Sequence, residues 1–302
     1  MMAHAVALPA NSSARRIGLD VWMNRALDLA DEAQNGWKSR EVHDLRVALR
    51  RCRTMADALS EVNPDRGWRR LKKDSRALFH SLGALRDTQV KQEWLKKLSA
   101  PNDPVRRQLL RLLAQSQKER QEAARKALAD FDRKAWRKSA QRLRSKAQFF
   151  PLESVVFQRL ALTRLNEAAA LYERARKGRS RVAWHRLRIG LKEFRYTLEN
   201  FMPRRYEPWS GNLKHIQDLL GEVHDLDVLR AEIRRHRAKL TDADVLRWYL
   251  KIEEARKARL DEFRSLTSGK DSLWPRWRSG FQTIHVVQPS AFPATERLQS
   301  AS

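Results

Sequence analysis

Only one of the 302 residues is cysteine, Cys52, so no intramolecular disulfide can stabilise the fold. A lone thiol fits a reducing compartment. Glycine and proline number ten each, and most of them fall between periodic segments. Long apolar runs are missing: no window approaches the roughly 18 residues that a membrane span needs. Residues Met1–Ser13 lack a basic start followed by an extended apolar stretch, so no secretory signal is read there. Together these absences predict a soluble, cytoplasmic chain. Negative charge is also scarce. Asp and Glu total 36 against 62 Lys and Arg, a formal net charge of +26. Such a surplus repels itself in a compact state unless something anionic compensates it, which points to a polyanionic partner.

Ala, Leu, Arg, Lys, Glu and Gln dominate, all helix-favouring, and no alternating strand pattern stands out. The chain is therefore expected to be all-α. Punctuation by Gly, Pro and capping residues predicts helices over about 13–35, 41–61 and 65–82, with stops near Gly36, Asn63-Pro64 and Gly83. Asp87 is read as the N-cap of the next helix. A long, very basic stretch covers Val105–Gln148. Further helices are expected over 153–177, 182–201 and 208–220, then, after a stop at Gly221 and a cap at Asp225, over about 243–266. Trp274, Trp277 and Phe281 are candidates to pack back onto the body. Residues 1–12 read as a flexible N-terminus and 267–302 as a partly disordered tail, frayed beyond Gln288.

The chain also repeats itself. HDLRVALRRCR, from His43 to Arg53, returns 142 residues later as HRLRIGLKEFR, from His185 to Arg195. His43 matches His185, Arg46 matches Arg188, Arg50 matches Lys192 and Arg53 matches Arg195. A second block, LGALRDTQV from Leu82, returns as LGEVHDLDV from Leu220, and Arg76 falls opposite Lys214. Two copies, about 13–150 and 151–266, follow from this. At 100° per residue His43, Arg46, Arg50 and Arg53 lie within about one quarter of a helix's circumference. Leu45, Leu49, Cys52 and Leu59 lie opposite, as a core stripe. In the second copy His185, Arg188, Lys192 and Arg195 share a face opposed by Leu187, Leu191, Phe194 and Leu198. If a pseudo-two-fold axis relates the copies, both basic stripes line one cleft.

Arg offers a planar fork for phosphate oxygens, Lys a point charge and His a ring N–H, so cations stacked on successive turns suit anionic oxygens at regular intervals. The candidate contacts are His43, Arg46, Arg50, Arg51, Arg53 and Arg76 in the first copy, and His185, Arg188, Lys192, Arg195, Tyr196 and Lys214 in the second. A solvated basic face is the structural alternative, and keeping the register in both copies argues against it. Metal binding finds little support, because Arg46 and Val47, or Arg188 and Ile189, stand where a second ligand at i+3 or i+4 belongs. Asp57 and Glu199 each follow a stripe arginine by four residues, as an orienting ion pair would. Asp87 and Asp225 read as caps that also suit tethering a stripe arginine. No nucleophile–base pair, glycine-rich phosphate loop or carboxylate cluster appears, so neither catalysis nor a cofactor is expected.

The two H-x-x-R-[VI]-x-x-[RK]-x-x-R stripes, the R-Y-x-x-E stretch from Arg195 to Glu199 and the paired L-G-x-x-x-D-x-x-V blocks resemble the CHAD family, the conserved histidine α-helical domain. The likeness spans about 13–266. It implies two tandem four-helix bundles with internal pseudo-two-fold symmetry, a basic central channel, and binding of inorganic polyphosphate, in some members at polyphosphate granules. Thr54 stands where the second copy has Tyr196, a departure in the first copy. Without the resemblance the residues support a polyanion binder. Nucleic acid is the main rival ligand, and a metal-binding or phosphate-processing accessory role is the other. Single-strand binders interleave stacking aromatics along a basic groove, and only Tyr196 lies in these stripes.

Overall fold

The computed structural model describes residues 18–178 and 180–281, and they form eleven α-helices with no strand among the described residues. The first copy supplies α1 (Leu19–Gly36), α2 (Ser39–Val62), α3 (Arg66–Asp74), α4 (Arg76–Leu98), α5 (Pro104–Ala129) and α6 (Arg133–Gln148). The second supplies α7 (Val155–Lys177), α8 (Arg181–Phe201), α9 (Pro203–Arg235), α10 (Asp242–Thr267) and α11 (Leu273–Ser279). A 3-10 turn, Arg237–Lys239, joins α9 to α10. The expectations for residues 1–12 and beyond Gln288 lie outside the described residues.

Local chemistry sets most boundaries. The Asp103 carboxylate accepts the Arg106 N–H at 3.0 Å, with Pro104 in the first turn of α5. Asp132 accepts from Ala135 and starts α6. Ser180 and Thr241 cap α8 and α10 in the same way. Several expected boundaries are corrected. Neither Gly83 nor Gly221 stops a helix, and neither Asp87 nor Asp225 caps one, because α4 and α9 run straight through them. Tertiary packing here overrides a local stop signal. The helix expected over 65–82 breaks at Ser75, whose hydroxyl donates back to Leu71 O at 2.9 Å. The long basic stretch breaks at Asp130–Asp132.

The halves repeat their packing. α1 lies on α2 and α6, and α4 on α2 and α5; likewise α7 lies on α8 and α11, and α9 on α8 and α10. Between halves, α2 packs on α8 and α4 on α9. Contact between equivalent elements is what a two-fold relation produces, since an element on the axis meets its own image. The stripe opposite the basic residues is buried throughout: Leu45, Leu49, Cys52, Leu59, Leu187, Leu191, Phe194 and Leu198 are all in the core. Each large apolar side chain so buried contributes roughly 1.5–3 kcal/mol. Trp277 and Phe281 pack back onto the body as expected.

Both halves feed each of two apolar clusters. The larger takes α1, α2 and the start of α4 with α7, α8 and the first part of α9. The smaller takes Trp94 and Leu95 of α4, the start of α5, Leu226, Leu229 and Ile233 of α9, and the start of α10. Beside it a buried ion pair, Lys91 Nζ to Glu232 Oε2 at 2.7 Å, ties α4 to α9.

Candidate functional site

Between the two clusters α4 and α9 carry polar residues: Asp87 on one, His224 and Asp225 on the other. α2 and α8 present their basic stripes to this gap. Four cations, Arg46 and Arg50 from the first copy with Arg188 and Lys192 from the second, act on one another's charge. Burial, then the charge of Arg50, holds the Arg46 guanidinium below its ordinary value; Asp87 opposes this, and Arg188 adds to it. Burial likewise lowers Arg188, against the pull of Asp225. Lys192 is pushed down to about 6 by burial and by Arg188, Arg50 and Arg46. Asp225 is pushed up to about 6, by burial first, despite Arg188.

The Nε atoms of Arg46, Arg50 and Arg188 are buried and find no acceptor within the protein. Buried polar groups are normally paired, and a charged donor left without an acceptor is costly. Arg46, Arg50 and Arg188 share this feature at equivalent or neighbouring stripe positions, and so does Arg195 at the end of the second stripe. Aromatic rings support the guanidinium groups. Arg50 Cζ lies 5.5 Å from the Tyr196 ring centroid, across the two halves. Phe79, on α4, lies under both Arg46 at 5.5 Å and Arg53 at 5.0 Å. Gly83 of α4 lies beside this guanidinium: a Cβ added there would be 3.5 Å from Arg46 Nε, an ordinary contact.

The other candidates are placed differently. Arg53 donates to Lys72 O and to Ser75 Oγ at 3.0 Å, closing the α3–α4 break. Asp57, expected to pair with Arg53, pairs with Lys72 instead, because the break brings the end of α3 over α2. Arg195 donates to Gln217 Oε1 at 3.0 Å and faces Glu199 at 3.7 Å, the expected i, i+4 pair. Gln217 is the counterpart of Phe79, so one position holds the last stripe arginine by a ring in one copy and by an amide in the other. Arg51 stacks over Trp22 at 4.3 Å and also pairs with Glu199, bridging the halves. Arg76 and Lys214 are exposed on α4 and α9.

His43 is exposed, while His185 Nδ1 faces His224 Nδ1 at 3.1 Å. Burial lowers both histidines of this pair, with Arg188 next among the causes, and His224 falls to about 4. His224 and Phe79 escape the sequence reading. The signal for His224 lies inside the second repeated block, but its counterpart is Arg86, which is anchored to Glu93 at 2.9 Å. Among the described residues no three His, Cys, Asp or Glu side chains gather as a metal site.

This architecture defines an all-α protein in which two copies of one helical unit bring their basic stripes together. The chain belongs to the CHAD domain family, whose family model matches residues 23–234. Its fold is similar to the crystal structure of the CHAD domain from the plant Ricinus communis, at 21% identity and a TM-score of 0.59, over 94% of this chain and 96% of that one. It is also similar to PptA from Streptomyces chartreusis, at 16% identity and a TM-score of 0.62, over 82% and 94% of the two chains. No curated protein matches it by sequence. No helix among the described residues is long and apolar enough to cross a membrane.

Proposed function

We propose that the protein binds inorganic polyphosphate in the cleft between α2 and α8, with Arg46, Arg50, Arg188 and Lys192 as the central contacts and His43, His185 and the exposed Arg76 and Lys214 toward its margins. The observation that carries this reading is the set of buried stripe guanidinium nitrogens that lack acceptors. Each stripe spans about three helical turns, on the order of 15 Å, which suits a chain of phosphates over a compact anion. CHAD membership supports the same ligand class. Nucleic acid fits less well, because Tyr196 and Phe79 already lie under guanidinium groups and so offer bases no free stacking face. On this reading the protein holds its ligand without transforming it, and it acts in the cytoplasm at polyphosphate granules. The test is a competition assay at near-physiological salt, with labelled long-chain polyphosphate displaced by DNA or RNA matched in phosphate concentration. Polyphosphate should win clearly; displacement by nucleic acid at equal phosphate would refute the assignment.

A further inference from the structure

The basic stretch singled out in the sequence includes a helix that the central cleft does not use. Residues 133–148, the whole of α6, contain seven Lys or Arg and no Asp or Glu. Its inward face, Trp136, Ala140, Leu143 and Ala147, is buried in the large cluster. Its outward face carries Lys134, Arg137, Lys138 and Arg142, all exposed. Next to it lies α3, with Gly67, Trp68 and Leu71 turned inward and Arg66, Arg69, Arg70 and Lys73 exposed. A Cβ at Gly67 would come within 2.7 Å of Leu143 Cδ2, so this glycine permits the close approach of the two helices. The approach forms a cleft of about 310 Å³ lined by Asp65, Arg66, Gly67, Arg70, Arg142 and Lys146.

Charge in this cleft is poorly balanced. The single carboxylate among the lining residues, Asp65, is already engaged: it accepts the Gly67 N–H at 2.6 Å and pairs with Lys146. Arg70 faces Asp74 at 3.6 Å. Arg66 and Arg142 have no ion-pair partner among the described residues, and neither do Arg69, Lys73, Lys134, Arg137 and Lys138. Other surface arginines are mixed: Arg164, Arg181 and Arg247 are paired with carboxylates, whereas Arg107 and Arg159 are also without an ion-pair partner among the described residues, so it is the crowding on two touching helices that sets this cleft apart. Like charges crowded on two touching helices repel, and an anion relieves that repulsion.

We propose that the α3–α6 cleft is a second, outer site for a linear phosphate chain, separate from the central cleft, so that one molecule holds two chain segments and links them. The proposal rests on the polyphosphate reading above. A phosphate chain fits better than nucleic acid because no aromatic ring lines the cleft, and Trp68 beside it is fully buried. Being more exposed, the outer site should bind more weakly and lose affinity to salt sooner than the central one.

The test starts from the Arg46→Ala/Arg188→Ala protein, with labelled long-chain polyphosphate at low salt. Residual binding is expected, and adding Arg66→Ala/Arg142→Ala should weaken it by about tenfold or more, as loss of two charge-assisted contacts implies. The glutamine pair Arg66→Gln/Arg142→Gln, which keeps the side-chain stems, should do the same. Adding Arg125→Ala/Lys126→Ala, equal in charge but on α5, should cost no more than about threefold. Equal losses from the α3–α6 and α5 pairs, no residual binding at all, or displacement of the residual label by single-stranded DNA as readily as by polyphosphate would each overturn the outer site. Failure of the central assignment reads out separately, as unchanged affinity when Arg46→Ala/Arg188→Ala is made in the otherwise intact protein.

Discussion

Arg50 of the first copy lies over the ring of Tyr196 of the second, 5.5 Å from its centroid, and so ties the stripe of α2 to the helix that carries the other stripe. The ring is nearly buried, and Arg195 flanks it at 6.0 Å. On the polyphosphate reading proposed above, this placement makes Tyr196 a support that fixes where Arg50 points.

Replacing that support should cost affinity without removing any charge. A cation–π contact at a partly desolvated site is worth about 1 kcal/mol, so Tyr196→Ala should weaken polyphosphate binding roughly fivefold. Tyr196→Phe keeps the ring and should bind within about twofold of the parent. Fluorescence anisotropy on the two variants decides the matter: a Phe variant as weak as the Ala variant would make the hydroxyl, and so direct ligand contact, the active part.

Salt and chain length probe how many contacts form at once. Each neutralised phosphate releases condensed counterion, so four cleft cations imply a slope of roughly −3 in log affinity against log salt. Triphosphate spans fewer stripe turns and should bind far more weakly than a long chain. Equal affinities for the two would show a compact anion pocket in place of an extended cleft.

Acid should strengthen binding. In the free protein Lys192 is held down to about 6, so it is largely neutral above that pH. Asp225 is held up to about 6, so it gains a proton as pH falls through that value. A bound phosphate chain favours the protonated form of both groups, and of His224, which stands at about 4 when free. Binding thus takes up protons, and affinity should rise as pH falls from 8 toward 6, by up to about tenfold per unit for one fully coupled proton. Long chains are the proper probe, since their internal phosphates stay ionised throughout. Lys192→Arg, charged at every pH in this range, should make the profile shallower by the Lys192 share, leaving the smaller dependence that Asp225 contributes. Affinity that is flat or falls on acidification in the parent protein contradicts the cleft electrostatics described here.

What the sequence makes legible follows from helical periodicity. Arg46 and Arg188, with the leucines opposite, can be placed from the 3.6-residue repeat alone, and the duplicated register points to a shared space. Three-dimensional pairings are not encoded that way. Asp87 and Asp225 read as caps because a nearby Gly followed by Asp is a local stop-and-start signal, yet long-range packing carries α4 and α9 through them. Phe79 reaches Arg46 and Arg53 from a different helix, and no spacing rule relates α2 to α4 in rotation. His224 is invisible to the comparison of copies because only one copy has it. The bridge from Arg51 to Glu199 joins different halves, so it appears only once their relative placement is known.

The sharpest prediction concerns which of the 62 basic residues matter. Arg46 and Arg188 occupy equivalent stripe positions, and each holds a buried Nε without an acceptor. A well-ordered charge-assisted contact is worth on the order of 1.5–3 kcal/mol. Arg46→Ala together with Arg188→Ala should therefore weaken binding by roughly 100-fold or more. Arg125→Ala with Lys126→Ala removes the same charge from α5, where Arg125 faces Glu122 at 3.4 Å and lies 5.8 Å from the Trp37 ring centroid, away from the stripes. That pair acts only through the diffuse field and should cost about threefold at most. Both proteins should keep their helical circular dichroism, because the apolar stripes of α2 and α8 are untouched. The cleft variant should even gain stability in the absence of ligand, since it relieves the mutual repulsion of buried cations around Lys192; a thermal melt without polyphosphate reads this directly. Equal loss of affinity in the two double variants would mean that attraction by net charge suffices, and that the repeated His–Arg stripe serves the fold and not the ligand.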